Sequence, residues 1–197
     1  MIAQFPYKLS LKKSSTDHRD ITLCISQDNE ILPNKYEIIP RCIYDQSKIN
    51  SCSSNAIANQ IMSLKPHDDN NYVSRLYQYY NSRLIDACED IDEGTSYRSA
   101  YKALKTYGFC DEDLLPYDIT KVLDKPSDEC YEKANKTLIK KYKSILPSLY
   151  SLQYAISNNK PVSIGVAIYD NFLSVQEMII LYLHHQIIIY TLVITRC

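Results

Sequence analysis

The stretch DQSKINSCSSNAIANQI, residues 45–61, decides the fold of this chain. Ser51 is a residue type that commonly caps helices, and the apolar residues that follow recur at helical spacing until Pro66 ends the run. We therefore predict a helix that starts next to Cys52. Gln46 lies six residues upstream of this cysteine. Farther along the chain, apolar spacing predicts helices over 72–84, from about 96 to Gly108 and over 148–157, and a buried strand over 162–169.

A cysteine in the first turn of a helix faces unpaired backbone N–H groups and the positive end of the helix dipole, both of which favour its thiolate. The Cys52 N–H and the Gln46 side-chain amide are candidate donors to an oxyanion. This arrangement indicates covalent acyl transfer at an amide bond. A lone cysteine before a helix is more often a small buried apolar residue, so the choice depends on the rest of the sequence.

Several segments, in order along the chain, together resemble the papain family of cysteine peptidases, in the branch with a Ser-Cys-x-x-Asn-Ala motif. The resemblance covers about residues 17–172. Besides the Gln46 and Cys52 motif, the matching segments are 17–20, 32–33, 74–81, 94–98, 107–110, 115–118 and 161–172. It implies that Cys52 is the nucleophile and that Gln46 donates to the oxyanion. It also implies an α+β fold with two lobes, in which an intact helical lobe is followed by an incomplete, barrel-like sheet lobe.

The catalytic base is the weak point of this interpretation. His185 follows Cys52 by 133 residues, which is inside the interval of about 130–150 residues found in papain-type enzymes. Its neighbours lack the glycine before and the Ala-Val after that the family has, and no later asparagine orients the ring. His184 has the same difficulty, and His18 and His67 have no matching context.

We hypothesise that the tail is read in a shifted frame. The resemblance stops at Phe172, and the family's glycine-histidine strand is expected near position 196. Reading the last base of each codon with the first two of the next allows Gly-x-His-Ala-Val from the codons of residues 192–197. The coding DNA tests this hypothesis directly.

Composition and charge exclude several other classes of protein. The 197 residues fit one domain, with the helical lobe at about 40–157, the start of the sheet lobe at 160–172, and an unusually apolar tail at 175–197. The net charge of −1 and the lack of a basic run argue against nucleic acid. None of the seven cysteines forms a C-x-x-C pair, so we expect no metal and no cofactor.

The ends of the chain give expectations about location. The first residues lack a signal-peptide pattern, which predicts a cytoplasmic protein with reduced thiols. The run Met178 to Ile194 approaches the length of a membrane span, but His184, His185 and Gln186 interrupt it, which argues against a membrane anchor.

The sequence thus predicts a cysteine peptidase that acts on peptides or proteins and has no predictable oligomeric state. Two alternatives stay open. One is a non-catalytic remnant, either a binding module or the product of a disrupted gene, and the other is a protein anchored in a membrane by its tail.

Overall fold

The computed structural model describes residues 10–15, 17–25, 31–33 and 35–165, together with the backbone of 192–195. The helices and strands in these residues, in chain order, are α1 (Cys52–Leu64), α2 (Arg75–Ile85), α3 (Tyr97–Tyr107), α4 (Asp128–Ala134), β1 (Lys141–Ser144), α5 (Leu149–Ser157), β2 (Val162–Ser163) and β3 (Leu192–Thr195). A single 3-10 turn, Ile119–Lys121, precedes α4.

Helix α1 lies at the centre of the helical part of the fold and packs on both α2 and α3. Apolar side chains three and four residues apart form one face of α1 and one face of α3, and the two faces meet in a common core. The buried members of this core are Ile57, Ala58, Ile61, Met62, Val73, Tyr97, Ala100, Tyr101, Leu104 and Phe109. Burial of this face fixes the direction of α1 and therefore the position of its first residue, Cys52.

Tyrosine carries much of the remaining core, in a chain with 18 Tyr, 3 Phe and no Trp. A buried tyrosine requires a hydrogen-bond partner for its hydroxyl. Tyr77 donates to the carbonyl of Tyr107 (2.9 Å), and Tyr79 donates to the carboxylate of Asp92 (2.7 Å). These bonds connect α2 to the last residue of α3 and to the loop that precedes α3.

The sheet has the order β1-β3-β2, with β3 paired antiparallel to both neighbours. Three short strands do not close a barrel within the described residues, so the α+β prediction with an incomplete sheet is confirmed. The predicted strand Val162–Tyr169 is only partly observed: Val162–Ser163 is a strand, residues 164–165 are not, and 166–169 lie outside the described residues. The proposed boundaries between lobes stay a prediction.

The segment before α1 crosses the helical part in an extended conformation. Lys12 pairs with Ser96 in a parallel bridge, and Thr22 pairs with Ser144 of β1. Leu23 donates its N–H to the Ser144 carbonyl (2.7 Å). Within the described residues, no helix combines the length and the apolar character needed to cross a bilayer. The predicted apolar tail lies outside the described residues, apart from the backbone of β3.

Gly108 ends α3 in the left-handed region, with φ of +69°. An added Cβ would lie 2.0 Å from the carbonyl oxygen of Ala134 at the end of α4. We expect Gly108→Ala to lower the free energy of unfolding by about 1–3 kcal/mol, because the new methyl group meets rigid backbone and an unfavourable φ. Urea unfolding followed by circular dichroism measures this loss.

Gly165→Ala is the matched control. Its φ is not in the left-handed region, and the nearest atom to an added Cβ is a methyl carbon of the Leu11 side chain (2.7 Å), which can rotate away. A loss for Gly165→Ala as large as that for Gly108→Ala would contradict this account of the α3 end.

Candidate active site

Cys52 is the first residue of α1, and its side chain is partly exposed. Burial raises the pKa of the Cys52 thiol, while hydrogen bonds from the backbone N–H groups of Ser53, Ser10 and Cys52 itself lower it. Burial outweighs these donors, so the net pKa is above the ordinary value. The sequence-based prediction considered only the donors at the helix start, and burial of the sulfur acts against them. The role of Cys52 as nucleophile stays a prediction.

Ser51 occupies the N-cap position, but its side chain does not cap the helix as the sequence predicted. Its Oγ lies 2.6 Å from the Tyr117 hydroxyl, and Asn55 Nδ2 donates to the same Oγ (2.9 Å). Tyr117 donates in turn to the backbone carbonyl of Gln46 (2.9 Å). The hydroxyl of Tyr117 thus joins Ser51, the residue before Cys52, to the backbone of Gln46, the predicted oxyanion donor.

Arg75, the first residue of α2, fixes the other side of this loop. Its guanidinium lies over the ring of Tyr117 (3.7 Å) and pairs with Glu112 (Nη2–Oε1 2.6 Å). It also donates to the Asp45 carbonyl (3.2 Å) and to Asn55 Oδ1 (3.3 Å). One planar cation therefore holds the loop that contains Gln46 against the first turn of α1.

The side chain of Gln46 turns back within this loop. Its Nε2 donates one hydrogen to the carbonyl of Ile49 (3.1 Å), three residues before Cys52. One hydrogen of this amide is therefore held by the backbone of the loop itself. The role of Gln46 as oxyanion donor stays a prediction.

A second hydrogen-bond network, centred on Asp92, joins the loop before Cys52 to the segment Gly94–Thr95. The carboxylate oxygen Oδ1 of Asp92 accepts from the N–H of Asn50 (2.9 Å) and from the hydroxyl of Tyr79 (2.7 Å). The same hydroxyl accepts the N–H of Gly94 (3.0 Å). Burial and the adjacent Asp92 raise the pKa of Tyr79, so its hydroxyl stays protonated and keeps donating.

Buried Arg83 contacts this network through Tyr79 and through the backbone of the acidic loop. Its guanidinium lies over the Tyr79 ring (4.2 Å) and donates to the carbonyl of Ile91 (2.9 Å) and to that of Val122. The negative charge of Asp92 partly offsets the cost of burying this cation. Arg83 therefore holds the acidic loop that ends at Gly94.

Residues 10–12 lie over Cys52 and along the Gly94–Thr95 segment. Besides the bond from the Ser10 N–H to the thiol, Lys12 donates its N–H to the Thr95 carbonyl (3.2 Å). The Ser10 carbonyl oxygen would lie 2.3 Å from a Cβ at Gly94, whose φ is +78°. Only glycine at position 94 lets the two backbones approach this closely.

A cavity of about 550 Å³ lies one helical turn from Cys52. It runs along Ala56, Asn59 and Ser63, which follow Cys52 at helical spacing on α1, and its opposite wall includes residues 161–164. It therefore lies between α1 and residues 161–164.

The described residues contain two histidines, His18 and His67, and both are exposed in turns. His67 follows the C-terminus of α1, so the helix separates it from Cys52 by about 20 Å. His185, the candidate base, lies outside the described residues, as does His184. The structure thus brings the Gln46 loop next to Cys52 and leaves the base unplaced.

The sequence analysis missed the roles of Tyr117, Arg75 and Asp92. Tyr117 and Arg75 lie in segments that carried the resemblance, but nothing in their spacing from Cys52 showed that they contact its loop. Asp92 belongs to an acidic stretch that reads as a solvated loop. Two signals were available in the sequence: Pro116 directly before Tyr117, and Gly94 directly after the acidic stretch that contains Asp92.

Comparison with known proteins agrees with this geometry. Residues 35–187 match the sequence model of the papain family cysteine proteases, and the chain belongs to that family. It is 32% identical over 141 residues to a peptidase C1-like protein of Acanthamoeba polyphaga mimivirus. The aligned part is 66% of this chain and 45% of that protein, so the chain spans about half the length of this curated relative.

Solved structures show the same fold. The chain is similar to xylellain, a cysteine protease from Xylella fastidiosa, with a TM-score of 0.77 and 27% identity, covering 88% of this chain and 72% of xylellain. It is also similar to digestive procathepsin L 3 of the Tenebrio molitor larval midgut, with a TM-score of 0.58 and 18% identity, covering 77% and 50% of the two chains. The second likeness shows the fold alone.

The raised pKa of Cys52 predicts how its alkylation by iodoacetamide depends on pH. Because only the thiolate reacts, burial alone predicts a rate that is low at neutral pH and keeps rising beyond the ordinary thiol pKa of about 8.5, whereas an imidazole beside the sulfur would shift this profile to lower pH. In denaturant the sulfur is solvated, so the midpoint should shift to lower pH. Mass spectrometry of the peptide that contains Cys52 measures both profiles, with Cys52→Ser as the blank. Equal midpoints in the folded and denatured chain would contradict a burial effect.

The bonds accepted by Asp92 predict a graded pair of variants. Asp92→Ala leaves the Asn50 N–H and the Tyr79 hydroxyl without their acceptor, so we expect a loss of about 1–3 kcal/mol in the free energy of unfolding. Asp92→Asn keeps an oxygen at the same position and removes only the charge that faces Arg83, so its loss should be smaller. Urea unfolding of the two variants tests the ranking, and an equal loss would show that the two bonds contribute little.

Proposed function

We propose that this chain is a papain-type cysteine peptidase in which Cys52 attacks the carbonyl carbon of a peptide bond. The observation that supports this proposal is a partly exposed thiol at the first residue of a helix, in contact with backbone N–H groups. In a member of this family, that position is suited to a nucleophile.

The reaction proceeds through two bond exchanges at the same carbon. The thiol proton passes to a base, the sulfur–carbon bond forms, and the carbonyl oxygen becomes an oxyanion that accepts from the Cys52 N–H and from Gln46 Nε2. The base returns the proton to the leaving amine as the carbon–nitrogen bond breaks. Water then hydrolyses the thioester and releases the acid. The substrates are peptides or proteins.

The base has to come from outside the described residues, since His18 and His67 lie in exposed turns away from the thiol. His185 is the candidate in the present reading frame, and the histidine of the shifted frame is the other. A positively charged imidazole beside the thiolate would lower the pKa that burial raises. Because burial raises the pKa of Cys52 and a positive charge nearby would lower it again, reaction at neutral pH requires the base.

A second candidate function is a non-catalytic remnant that binds peptides. The raised pKa of Cys52 favours it, because a thiol without an imidazole partner remains protonated at neutral pH. Both candidate functions use the cavity along α1 to hold a peptide, and they differ only in whether the sulfur reacts.

Labelling with a peptidyl epoxide at neutral pH separates the two candidates. The peptidase predicts one covalent adduct on Cys52, formed much faster than the adduct of iodoacetamide at the same pH, and none on Cys52→Ser. Gln46→Ala should slow hydrolysis of a fluorogenic peptide by about 100-fold or more, because one oxyanion donor is lost. Failure of the epoxide to label a folded chain whose Cys52 still reacts with iodoacetamide at high pH would overturn the peptidase proposal and leave the remnant.

A further inference from the structure

A cavity of about 380 Å³ lies on a part of the surface that is distinct from the Cys52 site. Its walls come from four parts of the chain: helix α3, the end of α2 at Ile85, residues 140–142 at the start of β1, and the segment 17–21, which contains a turn. Six cationic side chains line it, namely Arg19, Arg98, Lys102, Lys105, Lys140 and Lys141.

The two carboxylates in the cavity wall are already paired with its two arginines. Asp20 accepts two hydrogen bonds from the Arg98 guanidinium, and Asp17 accepts from Arg19 Nε (2.9 Å) and Nη2 (2.8 Å). The four lysines have no carboxylate within ion-pair distance among the described residues. The cavity therefore has a clear excess of positive charge in a chain whose net charge is −1.

This arrangement costs stability in the absence of a ligand. Arg98, Lys102 and Lys105 follow one another at spacings of four and three residues, so they lie on one face of α3, where like charges repel. Lys140 and Lys141 add two more charges from the opposite wall. The dipole of α3 accounts for Lys105, which lies in its last turn, but it does not account for the other three lysines.

An exposed lysine face is usually solvated and needs no ligand. Here the lysines line a concave site rather than a flat or convex face, and a cleft lined by one sign of charge concentrates the field and attracts counter-ions. The Nε of Arg98 is buried and has no hydrogen-bond partner among the described residues. The site thus combines a fixed guanidinium with four lysines that have no carboxylate partner in the part of the chain that the structure describes.

We propose that this cavity binds one compact anion that carries several phosphate or sulfate groups. Its volume is within the range of small-molecule sites, and flexible lysines around a fixed arginine suit a ligand with charges at more than one point. A nucleic-acid strand needs an extended track of positive charge, which a single cavity in a chain of net charge −1 does not offer.

Isothermal titration calorimetry of the full chain with tripolyphosphate and, separately, with sucrose octasulfate tests the proposal. We expect saturable 1:1 binding that weakens as NaCl is raised, and the tighter of the two ligands identifies the phosphate or the sulfate source. Lys102→Gln combined with Lys105→Gln should weaken binding by about tenfold or more, because two cationic contacts are lost.

Lys121→Gln combined with Lys125→Gln is the matched control, because it removes the same charge from exposed positions outside the cavity. It should leave the affinity within about twofold of the original, as expected for a screened, distant charge. If the Lys102 and Lys105 variant does not fold, Lys140→Gln combined with Lys141→Gln replaces it. An equal loss in the control variant, or no saturable binding by either anion, would overturn the proposal. The measurement does not involve Cys52, so its outcome is independent of the peptidase proposal.

Discussion

The proposed chemistry of this protein depends on the surroundings of one sulfur atom. Cys52 lies where a helix start supplies N–H donors that favour the thiolate, yet burial raises the pKa of the same thiol. In the proposed function a charged partner supplies the remaining stabilisation of the thiolate, so the base, rather than the helix, is the decisive component.

The surroundings of Cys52 are built to hold its loop rigidly. Arg75 and Tyr117 fix the backbone of residues 45–51 on one side, while Asp92 and Tyr79 connect Asn50 to Gly94 on the other. Each contact is made by a buried or half-buried polar group whose partners are satisfied by this geometry. Such networks favour a single arrangement, because every alternative leaves a buried donor or acceptor unpaired.

The sequence predicted the helical lobe well, because the apolar spacing of α1, α2 and α3 and the glycine at 108 are local signals. It predicted α5 for the same reason and missed α4, where seven residues contain too few apolar positions for a periodic signal. The prediction considered only the helix start around Cys52, and neither the burial that raises the pKa of the thiol nor the contact from Ser10, 42 residues away in sequence, that lowers it. Contacts from distant segments leave no mark in the local pattern. The same holds for Asp92, whose partners are Asn50 and Tyr79.

An experimental structure of the chain after reaction with a peptidyl epoxide would test the central claim most directly. The account predicts a covalent bond from the Cys52 sulfur to the inhibitor, displacement of residues 10–12 from the sulfur, and an inhibitor carbonyl oxygen within hydrogen-bond distance of both Gln46 Nε2 and the Cys52 N–H. An adduct on a different cysteine, or a carbonyl oxygen that faces away from the Gln46 amide, would contradict it.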